Sequence, residues 1–320
     1  MTAFQEGRVG GISEKPEKTV ETLLSKLFFY PHKVYKIYKT EKNSFEDFSN
    51  FETRKNFCLE DFSWNQEMSP SIYLALRGVR KNGDQWVETT FGNAEDFFIE
   101  MNRVDDGQSV SNRLLAGEIT DKNLVQIATL LTQKHKSLTQ KKRESLKDLF
   151  QRNWKDIILE TSEAERHYGY AAPNISNEWT DKIVDTWKNF IKKQSYFASS
   201  VSGNFHMQVA TDNHAKNILI LNGEVVLLDV FLPKRIWRVV DPAVSIARIA
   251  TDVIVLANRQ KASVLYKTYC NFFPLPPPEI LTFYEIYSAF ILAAYCQFIK
   301  EPHLSEKYRV FIDENLPKLA

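Results

Sequence analysis

The stretch from Asp212 to Asp229 constrains the fold of this chain more than any other. It reads Asp212-Asn-His-Ala-Lys-Asn217, then Ile218-Leu-Ile-Leu, an Asn222-Gly223 pair, and Val225-Val-Leu-Leu-Asp229. Asn-Gly between two apolar runs signals a tight hairpin, because both central residues accept positive φ. A loop that opens with an acid and closes with an amide therefore runs into two short strands, and the second strand delivers another acid. Hard oxygen ligands of this kind suit Mg²⁺ on a nucleotide, with one acid left to orient a hydroxyl.

The spacing Asp-x₄-Asn alone carries little, since ordinary composition gives about one accidental match in a chain of this size. Its context carries more: an apolar strand, a turn, a second strand ending in an acid, and Asp241-Pro242-Ala243 opening an apolar helix. At 320 residues with 43% hydrophobic content, the chain can bury a substantial core in one large or two modest domains. Basic and acidic residues balance at 41 to 40. The strongly basic footprint of a nucleic-acid binder is absent, so no such partner is expected. Cys58, Cys270 and Cys296 are far apart and odd in number. They fit buried free thiols in a reducing, cytoplasmic compartment better than a disulfide framework or a metal cluster.

The polar N-terminus shows no secretory signal, and residues 1–17 read as a loose tail. From 280 to 299 the only charge is Glu285, and the run is long enough to cross a bilayer. A helix buried in a large core gives the same pattern. Glu285 among Tyr284, Tyr287 and Ser288, with Gln297 beyond, favours the core helix and no membrane.

Residues 18–104 are mostly extended. Thr22–Phe29 and Lys33–Lys39 read as strands joined at Tyr30-Pro31-His32, and Lys81-Asn82-Gly83-Asp84 as a hairpin turn. Phe97–Met101 reads as a further strand, and residues 51–68 have helical spacing stopped at Ser69-Pro70. Residues 105–320 are mainly helical, with amphipathic segments at 120–135, 146–160 and 178–200. The cluster Lys134, Lys136, Lys141, Lys142 and Arg143 reads as a solvated helix end and loop.

This order of elements resembles the aminoglycoside phosphotransferase and choline kinase group, over roughly residues 19 to 300. Besides the hairpin, the likeness includes Val34-Tyr-Lys36-Ile, Phe45-Glu-Asp-Phe-Ser, Arg54-Lys-Asn-Phe-Cys58, Trp64-Asn65 and Met68-Ser-Pro-Ser-Ile-Tyr73. It continues through Glu100-Met-Asn-Arg103, the helix ending near His135, and Phe283-Tyr284 with Tyr287. Within the group it is most similar to uncharacterised bacterial phosphotransferase-like domains often fused to an ATPase domain, whose GxxxxGK loop this chain lacks.

The resemblance implies an α+β, two-lobed protein-kinase-like fold. A small antiparallel-sheet N-lobe with one helix (18–104) would precede a larger, mainly helical C-lobe (105–320), with the site in the cleft between them. It implies ATP and Mg²⁺ as cofactors and a small-molecule substrate. Asp212 would orient the substrate hydroxyl and accept its proton, Asn217 and Asp229 would ligate Mg²⁺, and Lys36 would pair with the nucleotide phosphates. Asp61 would be the carboxylate partner of Lys36, with Glu60 as runner-up. Aspartate is one methylene shorter than the group's glutamate, so a stretched pair is expected. Met101, Asn102 and Arg103 would form the linking segment against which adenine lies. Strand alternation alone leaves Lys33, Lys36 and Lys39 all open as the lysine, with Lys36 sharing a face with Val34 and Tyr38.

Several positions depart from the group. Ala210 and Thr211 stand where His-Gly usually precedes the catalytic acid, Asn213 replaces an apolar residue, and Ser245 replaces a second acid beyond Asp241. Ser288, Leu292 and Ala294 stand where basic residues are expected. No glycine lies between Gly11 and Gly78, so Tyr30-Pro31-His32-Lys33 would have to cover the phosphates without a Gly-rich loop. The intact acid-amide-acid set points to a kinase. The departures point to a pseudokinase-like binding or regulatory module. Asp241 reads as a helix cap and His135 as a hydrogen-bonded core residue.

Overall fold

In a computed structural model, the described residues are 4, 6, 8–10, 12, 14–43, 45–137, 147–152, 154–155, 176–199, 207–208 and 212–320. The chain divides into two compact units, Met1–Asp105 and Asp106–Ala320.

Among the described residues, the first unit is a six-stranded antiparallel sheet with one long α-helix. Its strands are β1 (Lys18–Glu21), β2 (Ser25–Phe29), β3 (Lys33–Tyr38), β4 (Tyr73–Asn82), β5 (Gln85–Thr89) and β6 (Asp96–Asn102), in the order β1-β2-β3-β6-β4-β5. The β4–β5 hairpin pairs Asn82 with Gln85, and Gly83 supplies the positive φ of +61° that the turn needs. Helix α1 (Phe51–Met68) starts where Asn50 accepts a hydrogen bond from the Thr53 N–H, ends at Ser69, and packs on β4 and β6.

The other face of the sheet carries an aromatic cluster of Phe28, Tyr30, Ile37, Val79 and Phe98, joined by Phe4 and Val9 from the N-terminal segment. The Phe4 ring stacks on Phe28 at 5.3 Å and meets Phe98 edge-on at 5.2 Å. The Gly10 N–H donates to the Trp86 carbonyl on β5 at 2.6 Å, and the Trp86 N–H donates to the Arg8 carbonyl at 2.9 Å. Among the described residues of the segment read as a loose tail, Phe4 and residues 8–10 are docked on the sheet. A polar segment with two well-placed apolar side chains finds an open sheet face and an unpaired strand edge, and those supply the burial its own composition lacks.

The second unit is helical around a buried α8 (Pro278–Phe298). Its other described helices are α2 (Val110–Leu115), α3 (Asp121–Ser137), α4 (Asn177–Lys193), α5 (Ser195–Ser199), α6 (Pro242–Leu256), α7 (Arg259–Cys270) and α9 (Pro302–Asn315). The expected helix over 178–200 is broken at Gln194, and of the expected helix over 146–160 only 147–152 and 154–155 are described. Helix α8 packs between α6 and α9, and 72% of its most apolar 18 residues are buried. Its one internal acid, Glu285, accepts from Arg259 at 3.2 and 3.0 Å and from the Tyr266 hydroxyl at 2.9 Å. A buried carboxylate satisfied by protein donors belongs to a core helix. Cys58 and Cys296 are buried as expected for free thiols, whereas Cys270 is exposed.

Two short ladders complete this unit. Strand β7 (Met207–Gln208) pairs with β10 (Val239–Val240), and β8 (Ile218–Leu221) pairs with β9 (Glu224–Leu227). Asn222 and Gly223, at φ +53° and +84°, form the two-residue turn that the Asn-Gly pair predicts.

Candidate active site

In the first unit, alternation along β3 turns Val34, Lys36 and Tyr38 to one face, the face that α1 covers. There the Lys36 Nζ lies 3.1 Å from Asp61 Oδ2, with Lys36 6% and Asp61 0% exposed. The Tyr38 hydroxyl donates to Asp61 Oδ2 and the Asn65 amide to Asp61 Oδ1, both at 2.6 Å. The pair is not stretched, so α1 sits close enough for the shorter aspartate. Glu60, one residue round the helix, is exposed. Lys33 turns to Glu100 at 3.2 Å and Lys39 to Glu21 at 2.9 Å. Of the three lysines, Lys36 alone faces the helix acid.

The segment Met101–Arg103 is stitched into the sheet. Met101 is buried opposite Val34 and Tyr73. The Asn102 N–H donates to the Ile72 carbonyl at 2.8 Å and the Arg103 N–H to the His32 carbonyl at 3.0 Å. The Arg103 guanidinium donates to the Tyr30 carbonyl at 2.8 Å and also pairs with Glu17. These bonds tie the Tyr30–His32 turn to the end of β6, so it is not a free flap over phosphates. The β1–β2 turn lies at the opposite end of the sheet. It closes on itself, with the Ser25 N–H donating to Thr22 Oγ1 at 2.9 Å.

In the second unit, the hairpin holds Asp212, Asn217 and Asp229 together through one side chain. Asn217 Nδ2 donates to the Asp212 carbonyl at 2.9 Å and to the Asp229 carbonyl at 3.1 Å. Both amide hydrogens are thereby used, which leaves Oδ1 as the oxygen for a cation. The Leu228 N–H donates to the Asn217 carbonyl at 2.7 Å and closes the base of the loop. Asp229 is exposed and sits at φ +51°, in the left-handed region. One amide oxygen and one carboxylate are hard donors of the kind that would suit Mg²⁺. Among the described residues no group of three His, Cys, Asp or Glu could hold a metal alone.

Helix α6 backs this loop with residues that sequence reasoning gave no role at the site. The Arg248 guanidinium, 3% exposed, lies 3.7 Å from Asp212 Oδ1, and its Nε and Nη1 have no hydrogen-bond partner among the described residues. Burial pushes the Asp212 carboxyl up to about 6, against the pull of Arg248 and with added repulsion from Asp229. The 30% of its side chain left open lets water moderate that rise. Asp252 accepts from the Ala215 N–H at 2.5 Å and from the Tyr308 hydroxyl, and burial raises it to about 6 as well. His214 is held neutral, its imidazole pushed down to about 3 by burial and then by Arg248 and Lys216, with the Tyr295 ring 4.8 Å away. The signal for this face was present: Ser245, Arg248 and Asp252 are polar at helical spacing within an otherwise apolar run.

Two departures from the group meet each other. Asn213 Nδ2 donates to the Ser245 carbonyl, and the Ser245 hydroxyl donates to Asn213 Oδ1, both at 2.9 Å. Asp241 caps α6 by accepting from the Ala243 N–H at 2.8 Å, and it accepts from the Tyr196 and Tyr284 hydroxyls at 2.5 and 3.0 Å. His135 is fully buried against the Tyr269 hydroxyl at 2.7 Å. Ser288, Leu292 and Ala294 are buried in α8. Ala210 and Thr211 lie outside the described residues.

No protein-family model and no curated protein matches the sequence. Solved structures do match the fold. The chain is similar to a choline kinase from Cryptosporidium parvum at TM-score 0.56 and 12% identity, covering 98% of this chain and 92% of the other. A GDP and kanamycin complex of APH(2")-IIia matches at TM-score 0.51 and 9% identity, covering 98% and 97%. A glucosamine kinase in complex with glucosamine, ADP and inorganic phosphate matches at TM-score 0.51 and 13% identity, covering 94% and 80%. Identity this low establishes the architecture and leaves the chemistry to the residues.

Proposed function

We propose that this chain, which has the protein-kinase-like fold of small-molecule phosphotransferases, transfers the γ-phosphoryl group of ATP to a hydroxyl of a small molecule. Asp212 orients that hydroxyl and accepts its proton. Asn217 Oδ1 and the Asp229 carboxylate are the residues that would hold Mg²⁺, which when bound neutralises charge on the phosphate oxygens. Lys36, fixed by Asp61, offers its ammonium to the nucleotide phosphates. The solved neighbours named for choline, kanamycin and glucosamine support a hydroxyl-bearing acceptor. The observation that carries this reading is the Asn217 amide, which ties the backbones of both acids to one point.

Phosphoryl transfer runs mainly on positioning and charge neutralisation, so one cation, two metal ligands and one acceptor base suffice. The test is a thermal-shift titration with ATP, with and without Mg²⁺, followed by an assay of ATP consumption. A Mg²⁺-dependent shift, with consumption by the wild type but not by Asp212→Asn, is expected. The self-closed Thr22–Ser25 turn and the tethered Arg103 favour a second reading, a pseudokinase-like module that recognises a ligand or partner without transfer. Absence of any shift at millimolar nucleotide favours that module.

A further inference from the structure

We propose that Asn213 and Ser245 are positioning residues for phosphoryl transfer, a two-point brace that sets where Asp212 stands over α6. The role rests on the reading of Asp212 above; the brace itself rests on geometry alone.

The loop divides by burial. Asn213, His214 and Ala215 are 0%, 4% and 1% exposed, while Asp212 keeps 30% of its side chain open and Asn217 is half-buried. The inner residues anchor and the outer ones are left to act. Two of the three inner residues, Asn213 by its side chain and Ala215 by its N–H, reach the same helix. Asn213 exchanges two hydrogen bonds with Ser245, and the Ala215 N–H donates to Asp252, two helical turns further on. The loop is thus pinned to α6 on both sides of His214.

The two bonds of the Asn213–Ser245 contact run in opposite senses and use two different atoms of each partner. Such a contact fixes both distance and twist, which a single bond does not. An apolar side chain would fill the same volume and spare the desolvation of a carboxamide and a hydroxyl, but it would impose no direction. The fully buried pair on the residue next to Asp212 therefore specifies geometry. Because displacement of a reacting group by about 1 Å can cost about 100-fold in rate, the brace acts on turnover and not on nucleotide binding.

The experiment compares wild type with Asn213→Leu, Ser245→Ala, the double variant and Ser245→Thr, which keeps the hydroxyl. Three quantities are read: hydrogen exchange over 212–217, ATP turnover with Mg²⁺, and the KM for ATP. The two single variants should raise loop exchange about 10-fold or more and lower kcat about 10- to 100-fold, with KM within about 3-fold. Ser245→Thr should stay within about 3-fold of wild type, and the double variant should lose no more than the worse single variant. Loop exchange and kcat unchanged in the single variants would overturn the brace, as would losses that multiply in the double variant, or KM rising in step with kcat falling. Wild-type turnover no greater than that of Asp212→Asn would overturn the kinase reading instead. Loop exchange in the same variants would then still decide whether the brace exists.

Discussion

Asp229 holds φ at +51°, a conformation that costs a residue with a Cβ about 1 kcal/mol and glycine nothing. Asp229→Gly should therefore be more stable than Asp229→Ala by about 1 kcal/mol in urea unfolding, while both lose Mg²⁺-dependent activity. Lys36 and Asp61 present the opposite situation, a satisfied pair in a closed interior. Lys36→Met removes the cation from a buried carboxylate that Tyr38 and Asn65 also hydrogen-bond, and should cost about 3–5 kcal/mol. The double variant Lys36→Met, Asp61→Leu should recover much of that loss by the same measurement. At this scale, strand alternation left three lysines open, and it was the resemblance that named Lys36 and its acid Asp61. The polar spacing of Ser245, Arg248 and Asp252 marked a face of α6 but not its partner: one arginine in an apolar helix has the same sequence signature whether it points to solvent or to a loop from elsewhere in the chain.

Elements were legible where local chemistry decides them. The β8–β9 hairpin follows from Asn222-Gly223, and α1 follows from its helical spacing and its stop. The break between α4 and α5 at Gln194 was not, since neither glycine nor proline marks it and Phe190 and Phe197 on its two sides both pack on the distant Phe283. Helix α6 gives a pH test. The folded-state pKa of Asp252 is raised to about 6, so the native state holds a proton that the unfolded chain releases near pH 4. Stability from this group is full below that range and is lost as pH rises toward 6, at up to about 1.4 kcal/mol per pH unit. Asp252→Asn should flatten the fall in urea-unfolding free energy between about pH 4 and 6. Asp212, raised in the same direction, should keep the remainder.

For the whole molecule, the shift from extended to helical texture made two kinds of architecture visible before any coordinates. The first strand, β1, was not read, and the N-terminal segment was read as a loose tail. Both depend on partners distant in sequence: β1 on β2, and residues 8–10 on Trp86. A segment's polarity reports how it would behave alone, not what docks it. Phe4→Asp should lower Tm by several degrees in a thermal melt, because it places a charge among Phe28, Tyr35 and Phe98.

The same segment shields the outermost rung of the sheet. Arg8 and Gly10 occupy the main-chain groups of Trp86 that would otherwise point outward from β5. An unguarded rung of this sort invites a second molecule to add its own strand. Removing residues 1–12 should accordingly turn a well-behaved preparation into one whose light scattering climbs with concentration. Lysines introduced along β5 should suppress that association without restoring the lost stability.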